Sequence, residues 1–103
     1  MNQEISKNKI ILALDYSERK SAVDIAKRLT KYVGIYKIGL ELFISCGPSI
    51  IKEINDIGGK VFLDLKLHDI PNTVSKAATI INTYNVFMFN VHASGGFQMM
   101  KKM

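Results

Sequence analysis

Apolar residues in this chain come in short unbroken runs, and each run stops at a polar residue or a glycine. Ile10-Ile11-Leu12-Ala13-Leu14 ends at Asp15, and Ile35-Tyr36-Lys37-Ile38 is broken by Gly39. Val61-Phe62-Leu63 ends at Asp64, and Val86-Phe87-Met88-Phe89-Asn90-Val91 ends at His92. Such runs suit strands buried on both faces, as in parallel sheets. Between them the apolar spacing changes to three and four, the helical period. Ala22, Ile25, Ala26 and Leu29 mark one helix, with Ser17 as its expected cap. Ile50, Ile51, Ile54 and Ile57 mark a second, with Pro48 in its first turn and Gly58-Gly59 at its end. Val74, Ala77, Ala78 and Ile81 mark a third, capped by Asn72 or Thr73. Gly95-Gly96 opens a fourth that the chain barely begins.

The runs start at residues 10, 35, 61 and 86, room each time for a strand, a helix and two short loops. The order is βαβαβαβ and the start of another helix, with no linker, low-complexity segment or glycine-rich phosphate loop. This predicts an α/β fold, a parallel (β/α)8 TIM barrel of which the chain supplies about the first four βα units. Right-handed crossovers would place Asp15, Lys37, Asp64, Lys66 and His92 on one rim of the sheet. In a barrel that rim carries the chemistry. A closed barrel takes about 250 residues, so the chain reads as a fragment: residues 1–9 a polar lead-in, residues 10–103 the N-terminal half of a barrel domain. Paired halves, a degraded remnant, or a small open α/β sandwich with helices on both faces are the alternatives. Half a barrel leaves two sheet edges and an apolar wall uncovered.

Charge and cysteine content narrow the classes. The net charge of +5 is scattered, apart from Lys101-Lys102, and no basic stripe with interleaved aromatics marks a nucleic-acid partner. An attraction for anionic small molecules fits better. Cys46 is alone, so neither an internal disulfide nor a zinc knuckle is expected. The polar start, Met1 to Lys7, and the short apolar run after it lack the form of a signal peptide or membrane span. A cytoplasmic location without a membrane partner is expected.

The chemistry concentrates in Asp64-Leu65-Lys66-Leu67-His68-Asp69-Ile70-Pro71-Asn72-Thr73. Residues two apart on a strand share a face, so Asp64 and Lys66 are expected to point together, with Asp69 joining them after a bend. Carboxylates and an ammonium held close set one another's protonation. An ammonium flanked by two acids suits proton donation rather than Schiff-base formation, as in decarboxylation with protonation at carbon. Lys37, on the neighbouring strand, could reach Asp64. The structural reading is an ion-pair network that merely closes the strand end. Asp15 could accept hydrogen bonds from sugar hydroxyls or cap the first helix with Ser17. His92 could touch substrate or be held by backbone, His68 could only orient its loop, and Glu41 could open the second helix or pair with a lysine. Glu41, Asp64, His68, Asp69 and His92 are hard-ligand types, but Lys37 and Lys66 would put positive charge where a cation should sit, so no metal is expected. Phe87, Met88 and Phe89 are expected in the core.

Four segments together resemble the orotidine 5'-phosphate decarboxylase family: Leu12-Ala13-Leu14-Asp15, Tyr36-Lys37-Ile38-Gly39-Leu40-Glu41, Asp64 through Val74, and Val91-His92-Ala93-Ser94-Gly95-Gly96. The likeness begins near residue 9 and covers only the first half of that family's barrel. It implies that Lys37, Asp64, Lys66 and Asp69 are the charged tetrad, with Lys66 delivering a proton to C6 of the pyrimidine as carbon dioxide leaves. It further implies that Asp15 and Lys37 hold ribose hydroxyls, and that Asp69, Ile70 and Thr73 reach the other subunit's site in a homodimer. The substrate would be a nucleotide on the route to uridine 5'-phosphate, with no metal or organic cofactor. Family members grip the phosphate with later loops, so the resemblance implies little activity for these residues alone. The rivals are a magnesium-dependent sugar-phosphate decarboxylase or aldolase of the related group, against which Ile70-Pro71-Asn72-Thr73 argues, and a non-catalytic, self-associating half-barrel.

Overall fold

The computed structural model describes residue 7 and residues 9–102, so most of the expected lead-in over 1–9 lies outside the described residues. Four strands, β1 (Ile11–Ala13), β2 (Ile35–Gly39), β3 (Lys60–Leu67) and β4 (Met88–Val91), form one sheet in that order. All neighbouring strands are parallel. Helix α1 (Arg19–Arg28) connects β1 to β2. Two short helices, α2 (Leu40–Cys46) and α3 (Ser49–Asp56), connect β2 to β3, and α4 (Pro71–Asn82) connects β3 to β4. A 3-10 turn (Ala93–Gly95) and helix α5 (Phe97–Lys102) follow β4. This is the sequential βα order of a (β/α)8 barrel, carried through about four units.

The two faces of the sheet are unlike. Tyr36, Ile38, Val61 and Leu63 are fully buried against Ala22, Ala26, Ile50, Ile51, Ile54 and Ile81 of the helices. On the opposite face Lys37, Phe62, Met88 and Asn90 are only half-buried. The helices therefore cover one face, as in a barrel wall, which removes the two-faced sandwich from consideration. The ladder extends past the strand ends, with Leu14 N–H donating to the Lys37 carbonyl at 2.9 Å and His92 N–H to the Leu67 carbonyl at 2.8 Å.

Local chemistry shifts several expected boundaries. Helix α1 starts after Glu18, whose side chain makes no cap bond, so Ser17 is not its cap. The Ser17 carbonyl instead accepts a hydrogen bond from Ser45. Pro71 occupies the first position of α4 and Ile70 is its N-cap, because a residue without an N–H loses nothing there. Asn72 and Thr73 thus fall inside the first turn rather than capping it. Gly47, at φ +74°, and Pro48 divide the second helical segment in two. Arg19 draws the pieces together: its guanidinium pairs with Glu53 and donates to Ser49 Oγ at 2.8 Å and the Cys46 carbonyl at 3.1 Å.

One expectation for the core changes, and one residue is added to it. Strand β4 begins at Met88, and Phe87 is 53% exposed, with the Lys60 ammonium 4.9 Å from its ring centre. Gly59 lies against the core instead: a Cβ there would stand 2.7 Å from the Tyr36 ring and 2.9 Å from an Ile54 methyl.

Candidate active site

Strand β3 does more than end at Asp64. It runs on to Leu67, and its pairing with β4 slips on the way. Leu63 faces Phe89 and Leu67 faces Val91, so β3 advances four residues while β4 advances two. Within that bulge Lys66 takes φ +51°, a region that a side chain with a Cβ rarely occupies. Bulges and such backbone outliers are over-represented beside active sites. The regular alternation invoked for Asp64 and Lys66 therefore does not hold here, although the two side chains still meet.

Asp64 is the centre of the group and the buried charged residue of the sheet, 9% exposed. Lys66 Nζ donates to both of its oxygens, at 2.8 and 3.0 Å. Asn90 Nδ2 donates to Oδ1 at 2.6 Å, and Lys37 Nζ stands 3.6 Å from Oδ2. The hydrogen bonds from Lys66 hold Asp64 below the ordinary carboxylate range. Burial opposes this, while the bond from Asn90 and the charges of Lys66 and Lys37 reinforce it. A carboxylate so held stays an anion and anchors the ammonium groups around it. Lys66 remains 61% exposed, so its ammonium is fixed from beneath and open above.

Asp69 stands apart from this group. It is exposed, and its Oδ1 accepts the Ile70 N–H at 2.7 Å. No ion pair joins it to Lys66 among the described residues. Ile70 is 64% exposed and Thr73 is exposed beside it. Asp15 is exposed at the end of β1 and shares a shallow depression with Gly39, Leu40 and Glu41, the last in the first turn of α2. His68 and His92 stack with ring centres 5.0 Å apart. The Ser94 N–H donates to His92 Nδ1 at 3.2 Å, and the Ser94 hydroxyl lies 2.6 Å from the same nitrogen. Among the described residues no three His, Cys, Asp or Glu side chains converge as a cation site. Another depression, which includes Asn55, Lys60, Asn85 and Phe87, lies at the other end of the strands.

Sequence reasoning passed over Asn90. Its signal was a lone carboxamide between Phe89 and Val91 in an otherwise apolar strand.

The profile of the Orotidine 5'-phosphate decarboxylase / HUMPS family matches residues 8–103. The chain belongs to that family. It is 56% identical over 97 residues to the orotidine 5'-phosphate decarboxylase of Syntrophomonas wolfei, covering 94% of this chain and 41% of that protein. It is 52% identical over 94 residues to the enzyme of the same name from Pseudoalteromonas translucida, covering 91% and 40%. Among solved structures, the orotidine 5'-monophosphate decarboxylase of Methanocaldococcus jannaschii complexed with inhibitor BMP superposes with a TM-score of 0.85 at 36% identity, over 90% of this chain and 44% of that one. The chain thus spans about two-fifths of the length of these family members, corresponding to an N-terminal half-barrel. No described helix is long and apolar enough to cross a membrane.

Proposed function

We propose that these residues form the N-terminal half of an orotidine 5'-phosphate decarboxylase, within one domain over residues 10–103 and the remainder of the barrel. The observation that carries this reading is the Lys66 ammonium, doubly hydrogen-bonded to a buried Asp64 at the carboxyl rim of the sheet. In the reaction the bond between C6 and the carboxylate carbon breaks, and its electron pair stays on C6. Lys66 gives its proton to that carbon, and carbon dioxide departs. Atoms and electrons balance without a metal or organic cofactor. An ammonium already in place stabilises the developing carbanion without reorganising, and the Asp64 anion holds it there.

In this reading Asp15 and Lys37 accept and donate hydrogen bonds to the ribose hydroxyls. Asp69, Ile70 and Thr73 serve a second subunit's site, so the active form is a homodimer. Their exposure, and the hydrogen bond that Asp69 accepts from the Ile70 N–H rather than from Lys66, support that assignment. Phosphate binding belongs to the later strands, and remote binding energy is what holds a substrate in its reactive pose. The isolated residues 1–103 therefore turn over little substrate.

The test is carbon dioxide release from orotidine 5'-phosphate by residues 8–103 fused to the remaining part of the Syntrophomonas wolfei relative, assayed with a metal chelator. Release in the chelator is expected. A folded fusion that releases none, or releases it only with added magnesium, would overturn the reading.

A further inference from the structure

We propose that Asn90 is a positioning residue of this site: its carboxamide ties the Lys66 backbone to the Asp64 carboxylate and so fixes where the Lys66 ammonium stands. The catalytic consequence rests on the decarboxylase reading; the bridge itself does not.

The register slip creates the need. Two residues of β3 are in excess over β4 between Leu63 and Leu67, so the ladder offers Lys66 no ordinary strand partner. Asn90 Oδ1 takes that place, accepting the Lys66 N–H at 2.9 Å. The bond supports a residue at φ +51°, where sterics alone would not keep it. At the other end of the carboxamide, Nδ2 donates to Asp64 Oδ1 at 2.6 Å, the oxygen that also accepts Lys66 Nζ at 2.8 Å. Lys66 is thus held at its backbone by Asn90 and at its ammonium by Asp64, and those two anchors are bonded to each other.

The chemistry selects asparagine. A carboxylate only accepts and a backbone N–H only donates, so the bridging group must present one donor and one acceptor on a short stem. Aspartate would set oxygen against oxygen at Asp64. Leucine would fill the space and make neither bond. Asparagine is otherwise a poor strand former, and its half-buried place between Phe89 and Val91 has this bridge as its physical reason.

The test uses isotope-labelled 103-residue chain without substrate. In the unsubstituted protein, a through-hydrogen-bond scalar coupling between the Lys66 amide nitrogen and the Asn90 side-chain carbonyl carbon is expected. Its absence, in a spectrum where the amides of α1 show their couplings, would overturn the proposal. In Asn90→Leu, Lys66 amide exchange should quicken roughly fivefold, the usual effect of one lost hydrogen bond, and Asp64 should titrate at higher pH. Asn90→Asp keeps the acceptor, so it should leave the Lys66 amide protected while raising the Asp64 titration further. The charged groups facing Asp64, Lys37 on β2 and Lys66 on β3, are unchanged in both variants. A folded Asn90→Leu chain with both readouts unmoved would also overturn the proposal. In the active fusion, Asn90→Leu should lower kcat and leave KM in place. A fusion without decarboxylation sinks the functional reading and leaves the bridge standing, whereas a missing bridge does the reverse.

Discussion

Asp64→Asn is the substitution in which the electrostatics of the site become measurable. Asp64 is held below its ordinary range in the folded chain. Its contribution to stability is therefore complete above the unfolded aspartate value of about 3.9 and is lost as pH falls through the lower folded value. The expected result is a urea midpoint that drops between neutral and strongly acidic pH in the parent and drops less in Asp64→Asn. At neutral pH the variant should be less stable by about 1–2 kcal/mol, below the about 3–5 kcal/mol of a wholly buried pair, because Lys66 is largely solvated. Equal acid sensitivity in the two proteins would contradict the network. Lys37, Asp64 and Lys66 were legible in the sequence, since each lies near the end of an apolar run. Asn90 was not, because its partnership depends on a slip in register, and period-two alternation carries no trace of one. Asp69 shared the motif but not the contact, since its carboxylate bonds to the Ile70 N–H instead.

Elements are held by the helix-covered face of the sheet, and Gly59 sits where that packing leaves little room. Gly59→Ala would drive a methyl group to within 3 Å of both Tyr36 and Ile54, two residues with no exposed surface. A loss of about 1–3 kcal/mol is expected from overpacking a filled core, read as a lower thermal or urea midpoint. Tyr36→Phe probes the same contact more gently. The buried hydroxyl donates to the Ala26 carbonyl at 3.2 Å, so its removal should cost about 1 kcal/mol. A stability equal to the parent in Gly59→Ala would show that the helices can move off the sheet. Strand and helix order followed directly from the apolar runs, because unbroken apolar runs and the three-and-four spacing of amphipathic helices are such different patterns. The caps did not follow. Pro71 and Glu18 set the helix starts through backbone geometry, and Ser17, Asn72 and Thr73 were plausible by residue type alone.

At the scale of the whole sheet, the described residues form a barrel wall bounded by β1 on one side and β4 on the other. Ile10 and Ile11 are nearly half exposed at one edge, and Lys37, Phe62 and Met88 line the half-covered face. Unpaired strand edges and open apolar walls favour association, so sedimentation of the isolated chain should show mass rising with concentration. A strictly monomeric chain at all concentrations would contradict this. The incomplete barrel was legible because a spacing repeated four times predicts its own continuation, and the match to about two-fifths of its relatives agrees. The identity of the groups that complete the site lay outside anything the strand pattern of residues 1–103 can encode. The most direct measurement is kcat for orotidine 5'-phosphate in the fused barrel, with Lys66 intact and as Lys66→Ala. If Lys66 delivers the proton, the substitution should lower kcat by about 10²–10⁴-fold. A Lys66→Ala fusion that releases carbon dioxide as fast as its parent would contradict the account.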